Sequence, residues 1–220
     1  MAPVAGYSAS VSVTGTTTAI TGEATTDVAG GHTIFQITDT TRRVLDPNVT
    51  VIVKKDGAAQ SAALFTVNYL FGKITFLSAI GAGHTVTVDC NYLPLLTVAT
   101  AKAVQVSTKR ASLDATRFAD GPDTARIYGL LDAEGSITAL EDLLTDHDPG
   151  GGTRKFRDVL MNATARILLD TYLSTSDRFR AFVAFDEQSL NLPVAGIVEA
   201  SIKWKLAGDG AGKASFSRGS

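Results

Sequence analysis

The side chains with the widest chemical reach are three histidines, one cysteine and a run of carboxylates. His147 stands between Asp146 and Asp148, a triplet that could offer imidazole and carboxylate ligands to a metal. The same letters also serve an acidic loop ahead of Pro149-Gly150, through solvation and capping alone. A catalytic zinc site usually draws on three protein ligands, and His32 and His84 lie too far off in sequence to complete a recognisable spacing. Gly208-Asp209-Gly210-Ala211-Gly212-Lys213 looks like a phosphate loop only superficially. Its first glycine is one position out, and Ala214 stands where Mg²⁺ needs Ser or Thr. No helix is expected after it to present N-terminal amides. Cys90 falls on the apolar side of an alternating segment with no neighbouring base, which suits a small core residue better than a nucleophile. No Ser/His/Asp set assembles. The chain reads as a non-enzyme with no cofactor and no metal.

Charge narrows the choice further. The 220 residues carry 20 Lys+Arg against 22 Asp+Glu, a formal charge of -2, without the basic excess of a tight duplex DNA binder. Arg42-Arg43, Lys54-Lys55 and Lys109-Arg110 are isolated pairs, and the aromatics fall on apolar faces rather than between basic residues. No apolar run approaches the roughly 18 residues of a membrane span. Met1-Ala2-Pro3-Val4 lacks the basic start and apolar stretch of a secretory signal, and a single cysteine allows no intrachain disulfide. A soluble protein made inside the cell is expected. One distribution stands apart. Between Arg126 and Arg154 there is no Lys or Arg, yet Asp132, Glu134, Glu141, Asp142, Asp146 and Asp148 all lie there. A solvated acidic face and a surface that repels a polyanion both fit that pattern.

The elements that must position these groups are mostly strands. Threonine occurs 27 times, 12 of them before residue 51, and β-branched residues favour a pleated surface. The first twenty-odd residues are lightly apolar and read as an arm or edge strand. Val49, Val51 and Val53 then alternate with Thr50 and Lys54 up to a turn at Asp56-Gly57. Phe65, Val67 and Tyr69 lead to a turn at Phe71-Gly72-Lys73, followed by Ile74 and Phe76. Val86, Val88, Cys90 and Tyr92 alternate with Thr85, Thr87, Asp89 and Asn91. This is an antiparallel meander with one buried face.

Beyond Pro94, residues 95–101 read as a connector and residues 103–108 as a strand. Residues 124–131 and 136–140 read as a strand pair around a turn at Asp132–Gly135. Thr153 caps a predicted helix over about residues 154–172, in which Phe156, Leu160 and Ile167 share an apolar stripe meant for the sheet. Phe179, Ala181, Val183 and Phe185 alternate on a further strand. The last strand sets Val198, Ala200, Ile202, Trp204 and Leu206 against Glu199, Ser201, Lys203 and Lys205, so Ile202 and Trp204 should be core anchors. Residues 208–212 and 217–220 should be flexible. The expected fold is mainly β, an antiparallel sandwich or barrel with one amphipathic α-helix, α+β at the margin.

Several of these phrases occur together in a known order. Ser112-Leu113-Asp114-Ala115-Thr116-Arg117-Phe118-Ala119-Asp120-Gly121 resembles the Asp-x-Thr-x-Phe-like strand end of phage tail tube proteins, the major tail proteins of long-tailed phages. Gly129-Leu130-Leu131-Asp132-Ala133-Glu134-Gly135-Ser136 is similar to the strand pair that follows in that family. The phrase Gly196 to Gly210 is similar to its final strand, after a single helix. The likeness spans roughly residues 103 to 210. Phe65 to Phe76 looks like β modules found in several phage structural proteins.

The resemblance implies two parts, residues 1–97 as a β-rich N-terminal segment or module and residues 98–220 as a tube-like β core with one helix. It implies hexameric rings that stack into a hollow tube for genome passage, within the virion and assembled from subunits made in the host cytoplasm. The implied partners are further copies and the terminator, tape-measure and baseplate proteins, with DNA only as non-specific cargo and no membrane. On that reading Asp132, Glu134, Glu141 and Asp142 become candidates for a carboxylate-rich channel wall to which DNA does not stick. The alternatives are another phage structural β module (decoration, head–tail joining or adhesin-like) and, further off, a β-fold hydrolase.

Overall fold

The fold is that of a computed structural model, which describes residues 9–114, 126–140, 167–172, 178–191, 199–207 and 216–219. It is mainly β, with every strand pairing antiparallel and two seven-stranded sheets. The helical structure among the described residues is two single turns of 3-10 helix, Thr40–Arg42 and Ala62–Leu64. The first strand, β1 (Ala9–Thr14), belongs to the second sheet.

The first sheet holds β2 (Thr18–Asp27), β3 (Ile34–Ile37), β4 (Ile52–Lys55), β5 (Ala58–Ala59), β6 (Phe65–Asn68), β7 (Lys73–Phe76) and β8 (Val86–Tyr92), in the order β5-β4-β8-β2-β3-β7-β6. β2 serves two neighbours, pairing with β8 up to Ala24 and with β3 from Thr25. Within the β2–β8 pairing the register shifts between Ile20 and Glu23, a bulge that holds Gly22, whose φ of +70° suits a residue without a Cβ. The Gly22 N–H donates to the Asp89 carboxylate at 2.8 Å, and Lys54 Nζ holds the same carboxylate at 2.5 Å. Phe35, Ile37, Ile74 and Phe76 meet Val53, Val86, Val88 and Cys90 in one core. The Asp56-Gly57 turn forms as expected, both residues having positive φ (50° and 82°), the signature of a tight hairpin turn.

The second sheet adds β9 (Leu95–Asp114), β10 (Arg126–Leu140), β11 (Ile167–Tyr172), β12 (Arg178–Asn191), β13 (Glu199–Leu206) and β14 (Phe216–Gly219). Its order is β11-β1-β9-β10-β13-β12-β14, and β11 also pairs with β12. Six strands therefore close into a ring, and β14 continues along the β13 side of β12. Closure removes the exposed edges of an open sheet. Val11, Val13, Ala133, Ile137, Ile167, Leu169, Phe179, Val183, Ile202 and Trp204 fill the interior.

Five local expectations change. The first segment is not an edge arm: β1 lies between β9 and β11, with Val11 and Val13 in the barrel core. The sheets accordingly do not follow a cut at residue 97. Residues 95–101 are no connector, because β9 is continuous and pairs there with β1. No turn forms at Asp132–Gly135: β10 runs straight through, and a Cβ on Gly135 would fall onto the Gln105 carbonyl and lie 2.8 Å from Trp204 Cζ2. That glycine marks close packing inside a strand. The predicted helix does not reach residue 172, since Ile167–Tyr172 is strand β11. Ile167 and Leu169 face the barrel core while Leu168 joins the core of the first sheet, and burial on both faces explains the unbroken apolar run that mimics a helix. Finally, Phe216–Gly219 is strand rather than flexible tail. Phe156 and Leu160 lie outside the described residues.

Candidate functional site

The described part of the acid-bearing stretch, with Asp132 and Glu134, sits on the outer face of the barrel wall made by β9, β10, β13 and β12. Along β10, Ala133 and Ile137 point inward, so Asp132, Glu134 and Ser136 point out. The neighbours supply the opposite sign. Asp132 pairs in register with Lys109, and Glu134 with Lys205. Lys109 Nζ forms an ion pair with Glu134 Oε1. Lys205 reaches Asp186 at 2.6 Å and Lys203 reaches Glu187 at 2.7 Å. The Asp186 hydrogen bond and charge raise the Lys205 ammonium, and Glu187 does the same for Lys203. Asp186 is lowered in turn by Lys205. A run that is acidic in sequence is interleaved with lysines in the sheet. Sequence spacing carries no sign of this, because the lysines lie more than twenty residues away along the chain. Glu141 and Asp142 lie outside the described residues, as do His147, Asp146 and Asp148.

Of the predicted core anchors, Ile202 and Trp204 are fully buried in the barrel, and Ile167 joins them from its strand. Cys90 is buried in the first core, and burial pushes its thiol up to about 12, with Glu23 and Asp89 adding to the effect. Such a thiol is not ionised for nucleophilic attack. His32 Nδ1 lies 2.8 Å from Asp27 within one turn, whereas His84 Nδ1 lies 2.6 Å from Asp56 and joins two turns that are 28 residues apart along the chain. No cluster of three or more His, Cys, Asp or Glu suited to a metal occurs among the described residues.

Two further features are legible only in three dimensions. β9 and β10 pair from Ala101/Ala139 out to Asp114/Arg126, whereas β1 flanks β9 only up to Ala101 and β13 flanks β10 only from Glu134. Among the described residues, the far half of this hairpin is a two-stranded ribbon that extends past the barrel wall. The second feature is the junction of the two sheets. Arg180 and Asp170 are both buried and paired at 2.9 Å, and Arg178 grips Asp170 through two nitrogens. Arg180 also donates to the Leu70 carbonyl at 2.7 Å and lies 5.1 Å from the Phe71 ring centroid. These contacts tie barrel strands β11 and β12 to the turn before β7.

No protein-family model matches the chain, and no curated protein matches its sequence.

Proposed function

We propose that this chain is a non-enzymatic structural subunit that assembles with copies of itself into the hexameric rings of a phage tail tube. The observation that carries the reading is the position of the three resembling phrases. Ser112–Asp114 ends β9, Gly129–Ser136 lies on β10, and Glu199–Leu206 is β13. Ser112–Asp114 pairs with Arg126–Tyr128 at the ribbon end, next to Gly129, and Glu134–Ser136 pairs with β13, so the phrases follow one another along three strands that neighbour in one sheet.

The projecting β9–β10 ribbon supports the same reading. An isolated two-stranded ribbon is marginal in water, and its unpaired backbone groups seek another strand. A neighbouring subunit supplies one. Rings of such subunits stack into the conduit for genome passage in the virion, with tail terminator, tape-measure and baseplate proteins as partners and DNA as non-specific cargo. The interleaved wall around Asp132 and Glu134 serves a bore as well as a purely acidic one, since each lysine is engaged by a carboxylate and less able to hold phosphate. Negative-stain microscopy of the purified chain tests the proposal. Rings or tubes of uniform bore are the expected result; discrete monomers at every concentration would reject assembly and favour another virion β module.

A further inference from the structure

β1 flanks β9 only as far as the pair Ala9–Ala101, while β9 runs on to Asp114. Over residues 103–108 β9 keeps β10 on one side, with Val104 opposite Ile137 and Val106 opposite Gly135. Its other side faces no strand among the described residues. The Gln105 carbonyl lies against Gly135 of β10. Strand alternation then turns the N–H and C=O of Val104 and Val106 the other way, toward the bare edge. Their side chains pack against the barrel core but stay only partly buried. Backbone and core are both short of one strand here.

The chain itself supplies a strand in the right place. Eight residues precede Ala9, and in extended form they span about 26 Å, enough to run along β9 from Lys102 to Lys109. β1 already lies antiparallel to β9. Val11 and Val13 face the barrel core, and counting back by twos gives Ala9, Tyr7 and Ala5, with Ser12, Ser10 and Ser8 between them. The small and apolar period of β1 therefore continues upstream of its first paired residue. The register agrees. β9 carries one extra residue at Lys102, since Ala101 pairs with Ala139 and Ala103 with Thr138. Carried across that bulge, the β1–β9 pairing sets Tyr7 opposite Val104 and Ala5 opposite Val106. A tyrosine there covers half-buried valine and keeps its hydroxyl at the wet rim.

We propose that the Val104–Val106 edge of β9 is a strand-docking site for residues 4–8 of the same chain, which extend β1 and complete the barrel wall. The same chain wins over a second copy because Ser8 is covalently tethered next to the site, at an effective concentration that a free copy does not match. β9 beyond Lys109 and the edge of β10 over residues 126–133 stay open to a neighbouring subunit. The pairing therefore does not depend on ring assembly.

The test uses the full chain, dilute enough to exclude rings. Amide exchange at Val104 and Val106 should be slower than the open-chain rate by about tenfold or more. Tyr7→Pro removes a ladder N–H and the ring, and should release both amides while Ile202 and Trp204 stay protected. Oxidation of a Gly6→Cys, Gln105→Cys double variant should give a cross-link at monomer mass, because the two positions face each other on the outer side of the pair. Gly6→Cys with Lys109→Cys, four residues further along β9, should not cross-link. Exchange at Val104 and Val106 that is equally fast in wild type and Tyr7→Pro, or no cross-link above the Lys109 control, would overturn the site. A cross-link at dimer mass would overturn it too, and assign the edge to a second copy. Should the variants fold poorly, wild-type exchange at the two valines, with the presence or absence of a Tyr7–Val104 cross-strand NOE, decides alone.

Discussion

Trp204 is 1% exposed, and its indole edge fills the space that Gly135 leaves empty across the β10–β13 pairing. Replacing it with Ala should cost about 3–5 kcal/mol, read as a fall in the urea midpoint. Trp204→Phe should cost less. It keeps an aromatic ring and removes an indole N–H that has no hydrogen-bond partner among the described residues. Equal losses from the two would place the ring outside the core. At the junction, Asp170→Asn leaves the Arg180 charge buried without its carboxylate, which should destabilise by about 3–5 kcal/mol. Acid sensitivity belongs to the same scale. Asp56 is lowered by the Thr85 N–H and then His84, and Asp89 by Lys54 and then the Gly22 N–H. Their folded values lie below the unfolded carboxylate value of about 3.9. Their contribution is therefore complete above that pH and is lost as pH falls through the folded values. Denaturation midpoints should drop on acidification below about pH 4, and Asp89→Asn should flatten part of that slope.

Strands here are defined by which faces are covered rather than by their own periodicity. β11 shows this most clearly: Ile167, Leu168 and Leu169 are all buried because two cores flank one strand. The opposite case is the β9–β10 ribbon, whose far half has no third strand among the described residues. Backbone amides with few covering contacts open locally at low free energy. Hydrogen exchange of residues 109–114 and 126–132 should therefore be fast in the monomer and slow once rings form. Protection that is the same in both states would remove the ribbon from the subunit interface.

The two sheets share more than a linker at the scale of the whole molecule. Leu168 and Phe182, from barrel strands β11 and β12, belong to the core of the first sheet, and the Arg180–Leu70 hydrogen bond lies beside them. Phe182→Ala should thus destabilise the first sheet as well as the barrel, by about 3–5 kcal/mol in total. Exchange protection at Val86–Cys90 reports the first and at Ile202–Trp204 the second. Loss confined to the barrel would show that the two bodies fold independently.

Much of this architecture was written along the chain. The β class, the Asp56-Gly57 hairpin, and the alternation of Val86, Val88 and Cys90 or of Ile202 and Trp204 follow from a period of two and from turn chemistry, both local properties. The insertion of β1 between β9 and β11 and the extended path through Gly135 depend on partners about thirty to 160 residues away, and the strand at Ile167–Tyr172 pairs with distant β1 as well as with the nearer β12. An apolar run buried on both faces has no period of its own to declare. The lysines that engage Asp186, Glu187 and Glu134 likewise come from other strands than the acids they hold, and Lys73 and Arg180 reach the Phe71 ring from two different strands. Charge at a surface is a sum over neighbours in space, and only the tertiary structure chooses those neighbours.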